Sequence, residues 1–329
     1  LNLSLIQERL WFLHQLTPKI PLYNESSLIC LEGQLNVSLL EKSINKIIER
    51  QEILRTSFKS IDDRPLQIIA PNLTITLPIV ELKESSDNKQ NFQIRQIVTE
   101  YASQPFDLSK DPLLRLLLIK YNEQKHFLLI TMHHIISDGW SWKVFYQELA
   151  TLYQSYLNKN LLSLPELTIQ YADYAIWQRK LVETQTYQHQ LAYWKQQLKD
   201  ISPILALLTD KPRPAVSNFQ GAREVIQISP FLTEKLKSLS KQEGVTLFIL
   251  LLTAFKVLLY HYTKQTDILV GTPIANRNYK ETENLLGCFV NTLVLRTNFS
   301  EELSFLELLV KVRETTLAAY ANQDLPLNN

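Results

Sequence analysis

Residues 131–141 read TMHHIISDGWS, placing two adjacent histidines at the end of an apolar run with an Asp-Gly pair just beyond. An imidazole can take up or release a proton near neutral pH, and a glycine admits backbone geometry that a Cβ resists. Side chains alternate along a strand, so His133 and His134 face opposite ways and at most one of them addresses a given cavity. The stretch is open to three readings: a catalytic base with its supporting frame, a metal site, or two core histidines beside a turn. Metal binding needs several converging ligands; His134 with Asp138 supplies at most two, and no neighbouring Cys or further His completes the set. A helix that starts just after Gly139 points free N–H groups and the positive end of its dipole toward whatever His134 faces, which favours a developing anion. His14, His126, His189 and His261 stand alone, and Trp11, Trp177 and Trp194 suit core positions on helices; none of these is assigned chemistry.

The elements that must position the pair are readable on both sides. LLRLLLIKY and HFLLITM are two continuous apolar runs separated by polar residues 122–125, the pattern of a β-hairpin buried on both faces. After the Asp-Gly, Val144, Phe145, Leu149, Leu152 and Tyr156 mark one face of a helix running to about Leu157. The histidines therefore sit at a strand-to-helix junction. Upstream, Leu40, Ile44, Ile47 and Ile48 predict an amphipathic helix with Ser38 and Glu41 as its capping box, leading into a strand on which Leu54, Thr56 and Phe58 alternate. The polar residues 81–91 suit a surface loop or a frayed helix start.

Downstream, YADYAIWQRK and HQLAYWKQQL look helical, and TDKPRPAV at residues 209–216 is the clearest linker. Ser229 with Pro230 opens one helix and Thr246 a second, followed by the strand-like DILVGTP and GCFVNTLVLR. Residues 245–255 are the most apolar segment and, interrupted by Lys256, read as a buried helix well short of the roughly 20 apolar residues that span a bilayer. Helices and strands mix without strict βαβ alternation. With six glycines in the chain there is no Gly-rich phosphate loop.

Composition bounds the rest. The 329 residues, 45% hydrophobic and 10% aromatic, suffice for a sizeable core and about two domains. Thirty-four Lys and Arg against thirty-three Asp and Glu give a net charge of +1 with no long basic run, so nothing points to nucleic acid, and no membrane partner is expected. Cys30 and Cys288 are too far apart in sequence for a Cys-x-x-Cys pair. No signal peptide is visible, position 1 is Leu rather than Met, and a reduced, cytoplasmic setting is expected.

Six stretches, in order, resemble the motifs of the condensation domains of nonribosomal peptide synthetases, members of the chloramphenicol acetyltransferase-like acyltransferases. SLIQERLWFL carries Gln7, Arg9, Leu10 and Trp11 of the first motif. RQEILRTSF keeps Arg50, Glu52, Leu54, Arg55, Thr56 and Phe58 of the second, with Gln51 where His is usual. MHHIISDGWS is the third, YADYAIW from Tyr171 resembles the fourth, and LGCFVNTLVLR from Leu286 the fifth. NQDLPLNN from Asn322 is similar to the sixth, with Leu327 and Asn328 where Phe-Glu is usual.

The resemblance implies a mixed α/β (α+β) fold of two acetyltransferase-like lobes in a V around a central groove. Residues 1–170 would form the N-terminal lobe with the His-His-x-x-x-Asp-Gly motif, and residues 171–329 a C-terminal lobe lacking its end, because the family's chain continues further. It implies peptide-bond formation between a donor acyl or peptidyl thioester and an acceptor aminoacyl thioester, both carried on phosphopantetheine arms. The implied partners are donor and acceptor peptidyl carrier domains and the adenylation domain of the same assembly line, with no cofactor or metal bound by the domain itself.

By the same resemblance the catalytic set is His133, His134, Asp138 and Gly139. His134 accepts the amine's proton or holds the amine, and the Gly139 N–H faces the oxyanion. Asp138 is architectural, paired with Arg277 or Arg55. Heterocyclization domains carry aspartate in place of the histidine pair, so they are excluded. An epimerization domain, to whose motif Trp142 is similar, fits the opening Gln7-Arg9-Trp11 pattern less well. Two further readings are a stand-alone acyltransferase using diffusible thioesters and a non-catalytic domain that docks carriers.

Overall fold

The computed structural model describes residues 1–82, 86–110, 112–159, 164–202, 204–212, 214–215, 219, 221–299 and 303–326. Arg213 and Val216 of the expected linker and Leu327 to Asn329 of the sixth motif lie outside the described residues. The chain forms two compact units, Leu1–Glu183 with Ala275–Val290, and Thr184–Ile274 with Asn291–Leu327.

The first unit is built on a mixed four-stranded sheet in the order β1(Asn24–Glu32), β6(Lys125–His133), β5(Leu114–Asn122), β4(Ile79–Glu81). The expected hairpin is β5 and β6, antiparallel with Leu116 opposite Ile130 and Leu118 opposite Leu128. Its continuous apolar character follows from cover on both faces. Leu116, Leu118, Leu128, Ile130 and Met132 pack with α2(Val37–Arg50) and α4(Gly139–Asn158), whereas Leu117, Ile119 and Leu129 meet Ile94 of α3(Asp87–Ser103). A second hairpin pairs β2(Thr56–Ile61) with β3(Arg64–Ile69). Helix α1(Leu5–Leu16) opens on a capping box between Ser4 and Gln7, and α5(Tyr171–Leu181) also packs in this unit.

Three local expectations are corrected here. Helix α2 is capped by Asn36, whose side chain accepts from the Leu39 N–H, so Ser38 lies inside the helix and Glu41 instead accepts from the Leu77 N–H at 2.8 Å. Leu54 sits in a single 3-10 turn, Glu52–Arg55, with the strand starting at Thr56. Residues 287–290 are not strand; the extended segment begins at Asn291.

The second unit contains α6(Gln185–Gln197), α7(Pro230–Gln242), α8(Leu247–Thr263), α9(Phe305–Ala321) and the antiparallel pair β7(Asp267–Ile274) and β8(Asn291–Asn298). Ser229 and Thr246 cap α7 and α8 as expected. Helix α8 is not buried all round: Phe248, Leu251, Phe255 and Leu258 are exposed, while Lys256 is fully buried. The Lys256 ammonium donates to the Leu295 carbonyl at 2.8 Å and the Thr297 hydroxyl at 2.6 Å, and burial lowers its pKa to about 7. Among the described residues no single helix is long and apolar enough to cross a membrane; α7 and α8 reach that length only together, across a 105° bend.

Candidate functional site

The ladder of the first sheet carries the chain directly into the histidine turn. The His133 N–H donates to the Leu113 carbonyl at 3.0 Å and the His134 N–H to the Tyr23 carbonyl at 2.8 Å, after which Ile136 and Ser137 turn back on His133 and His134. The two rings part as strand alternation requires. His133 is 2% exposed, its Nδ1 accepting from the Ile135 N–H at 3.1 Å and its ring lying against His14, Tyr23 and Phe106. Burial, reinforced by His14 and His134, lowers its pKa to about 3. His133 is thus a neutral core imidazole that shapes the turn.

His134 is different. Its side chain is 25% exposed, and its Nδ1 lies 2.7 Å from the Ser137 carbonyl and 3.2 Å from Glu25 Oε1. Both neighbours can only accept, so this network assigns the ring proton to Nδ1 and leaves the Nε2 lone pair as the basic site. Among the described residues no group hydrogen-bonds Nε2. Glu25 is anchored in turn by the Ser137 hydroxyl, which donates to its Oε2 at 2.8 Å.

Asp138 is the N-cap of α4, and nearly every acceptor position on its carboxylate is filled. Oδ1 accepts from the Ser141 N–H and Oγ, both at 2.8 Å, and from Arg277 Nη2 at 3.1 Å; Oδ2 accepts from the Phe289 N–H at 3.0 Å. Of the two arginines considered, Arg277 is the partner, the pair being 1% and 4% exposed. Arg55 instead pairs with Glu52 at 3.2 Å and donates to the Ala70 carbonyl. Arg277 also donates to the Leu285 and Gly287 carbonyls and lies 4.0 Å over the Phe289 ring; burial holds its pKa below the usual guanidinium range despite Asp138.

The reason expected for Gly139 does not hold. It begins α4 without a left-handed torsion, and a Cβ there would meet nothing within 4 Å. The glycine leaves open space beside the turn, and its N–H has no partner among the described residues. The conformationally demanding glycine is Gly287, with φ +147° and the Tyr171 ring 2.0 Å from where a Cβ would stand.

The first four motifs and the opening of the fifth, Leu286–Val290, meet around this turn inside the first unit. Gln7 Nε2 donates to the Ile135 carbonyl at 3.3 Å. Ser4 Oγ is 2.8 Å from the Tyr171 hydroxyl, which donates to the Cys288 carbonyl. Gln51, at the family's usual His position, donates to Glu148 Oε1 and the Asn284 carbonyl, both at 2.9 Å, and accepts from the Leu286 N–H at 3.0 Å. Glu148 also holds Arg50 at 2.9 Å, and burial pushes its carboxyl above the usual range. Sequence reasoning does not single out Glu25, Ser137 or Glu148 for these contacts; each is one polar residue without periodic signature, though an acidic residue on strand β1 is a readable anomaly.

Trp11 and His14 line a cleft of about 530 Å³ with Phe58, Phe106 and Leu108, and Trp177 packs edge-on against Tyr279. Trp194 lies in the second unit, donating to the Asn322 carbonyl at 2.7 Å, at the start of the sixth motif. Among the described residues no three His, Cys, Asp or Glu side chains gather as a metal site.

The arrangement is a partly exposed, tautomer-fixed imidazole on a rigidly braced turn at a helix N-terminus, suited to acyl transfer. The chain is 48% identical over 326 residues to a component protein of the linear gramicidin synthase of Brevibacillus parabrevis, covering 99% of this chain and 6% of that protein. It thus spans a small part of the length of the curated relatives it matches. The structure superposes on the X-domain of teicoplanin biosynthesis, solved in complex with OxyB, with TM-score 0.88 and 27% identity, covering 99% of this chain and 71% of that one. The first condensation domain of the CDA synthetase gives TM-score 0.82 at 19% identity, covering 99% and 77% of the two chains, a likeness of fold. The family model described as Condensation domain matches residues 1–329 in full. With its histidine turn, its Asp138–Arg277 brace and its motif order all in place, this chain belongs to the condensation-domain family.

Proposed function

We propose that this chain forms the peptide bond in nonribosomal peptide synthesis, joining a donor acyl or peptidyl thioester to an acceptor aminoacyl thioester, each on the phosphopantetheine arm of a carrier domain. The observation that carries this reading is the setting of His134: Nδ1 is bonded to the Ser137 carbonyl at 2.7 Å with the Glu25 carboxylate 3.2 Å away, so Nε2 is the acceptor that amine attack requires. The acceptor nitrogen attacks the thioester carbon, the C–S bond breaks, and the proton taken from nitrogen by Nε2 passes to the departing sulfur. The Gly139 N–H at the start of α4 stabilises the oxyanion of the intermediate. Arg277 and Asp138 hold the turn and do not touch substrate.

General base catalysis supplies about 3–5 kcal/mol, whereas juxtaposing two tethered reactants supplies about 7–11 kcal/mol. The carriers' delivery of both arms is therefore the larger contribution, and His134 is worth about 10²–10⁴-fold. In this reading the domain binds no cofactor of its own, an adenylation domain of the same assembly line loads the carriers, and the reaction is cytoplasmic. The test mixes the full-length protein with a donor-loaded and an acceptor-loaded carrier and identifies the product by mass spectrometry. An amide joining the two groups supports the proposal. Carrier binding without product would favour a docking role, a reading to which the likeness to an X-domain solved in complex with OxyB lends weight.

A further inference from the structure

We infer that Glu25 is a positioning residue for His134, an inference that rests on the condensation reading above. The Glu25 carboxylate stands where it can act on the imidazole without touching Nε2. Oε1 is 3.2 Å from His134 Nδ1, and Oε2 accepts from the Ser137 hydroxyl at 2.8 Å. Ser137 in turn presents its carbonyl to Nδ1 at 2.7 Å, so ring, carboxylate and turn close into one cycle. Two parts of the fold hold that cycle together. Glu25 stands on β1 opposite Met132, and the His134 N–H bonds the Tyr23 carbonyl that leads into the same strand.

The chemistry this serves is specific. The Ser137 carbonyl alone fixes the tautomer, but a neutral carbonyl does little for the positive charge that grows on the ring as Nε2 takes the amine's proton. A carboxylate on the far nitrogen stabilises that charge while leaving the reacting edge free, the relationship of base and orienting acid in other nucleophilic sites. Glu25 is 29% exposed at its side chain, so the effect is partly screened. Among the described residues, the other titratable groups around the cycle include His133 on β6, His14 of α1 and Tyr23 against the His133 ring, and Cys288, whose buried thiol is pushed well up by its surroundings and stays neutral. None of them replaces the carboxylate. Asp138, the acidic residue four positions after His134, is spent on Arg277, Ser141 and Phe289.

The test is the condensation rate of the full-length protein with Glu25→Gln, His134→Ala and the double variant, thermal melts confirming that each is folded. Glutamine keeps the shape and leaves a carbonyl oxygen beside Nδ1 while its amide nitrogen meets the Ser137 hydroxyl, so the charge is what is removed. The expected result is a fall in kcat of about 10–100-fold, with KM for both loaded carriers unchanged. No further loss should follow when Glu25→Gln is added to His134→Ala. A Glu25→Gln protein as fast as wild type, a loss confined to KM, or losses that multiply in the double variant would each overturn the inference while leaving the condensation reading standing. A wild-type protein that forms no amide would overturn both.

Discussion

Arg277 Nη2 and Asp138 Oδ1 meet at 3.1 Å with both side chains almost wholly buried, joining two stretches of chain 139 residues apart. The pair fixes the N-terminus of α4 and hence the turn that presents His134. Removing one partner of a buried pair leaves an uncompensated charge and costs about 3–5 kcal/mol. Arg277→Ala is therefore expected to lower the urea midpoint of the first unit substantially, and Asp138→Asn, which keeps the helix cap, to lower it less. Equal and small effects would show that the pair does not brace the turn.

Gly287→Ala is expected to be as damaging as a large core truncation. The new Cβ needs a left-handed torsion and collides with the Tyr171 ring, whose hydroxyl is tied to Ser4 and the Cys288 carbonyl and cannot swing aside freely. About 2–4 kcal/mol of destabilisation follows from strain and overpacking. Gly139→Ala is the control, because space is open there, and its thermal midpoint should match wild type.

Acid should weaken the first unit through His133. Its folded pKa of about 3 lies below the unfolded 6.5, so below pH 6.5 the unfolded chain binds a proton that the native ring refuses. The contribution is complete above pH 6.5 and is lost at roughly 1.4 kcal/mol per pH unit as pH falls toward 3. Urea unfolding at about pH 7.5 and about pH 5 should show a smaller loss for His133→Asn than for wild type, by nearly one proton's worth of slope.

Lys256 imposes a pH dependence on the second unit at the alkaline end. Its pKa of about 7 in the fold lies below the ordinary lysine value of 10.5, so between those values the unfolded chain is the more protonated state and stability rises with pH. Lys256→Met removes that titration. A variant whose stability climbs between about pH 7 and pH 10 as steeply as wild type would contradict the assignment.

Much of the frame around His134 is legible in the sequence because it is periodic. The β5 and β6 runs announce strands covered on both faces, and Val144, Phe145, Leu149 and Leu152 announce α4. What periodicity does not carry stays hidden. Glu25 reaches a hydroxyl 112 residues away, and Gln51 an N–H 235 residues away, so neither partner is implied by local pattern. Lys256 reads in sequence as an interruption of a buried helix, whereas the lysine is buried and Phe255 beside it exposed. Polarity is a poor guide to facing when a carbonyl and a hydroxyl wait inside to receive an ammonium. Gly139 and Gly287 look alike in sequence, and only the backbone torsion and the Tyr171 ring separate them.

The most direct measure of His134 as the base is the rate of amide formation by His134→Ala in the full-length protein with both carriers loaded. A loss of about 10²–10⁴-fold with an unchanged thermal midpoint is the predicted result. A loss under about tenfold in a folded variant would contradict the assignment of Nε2 as the base.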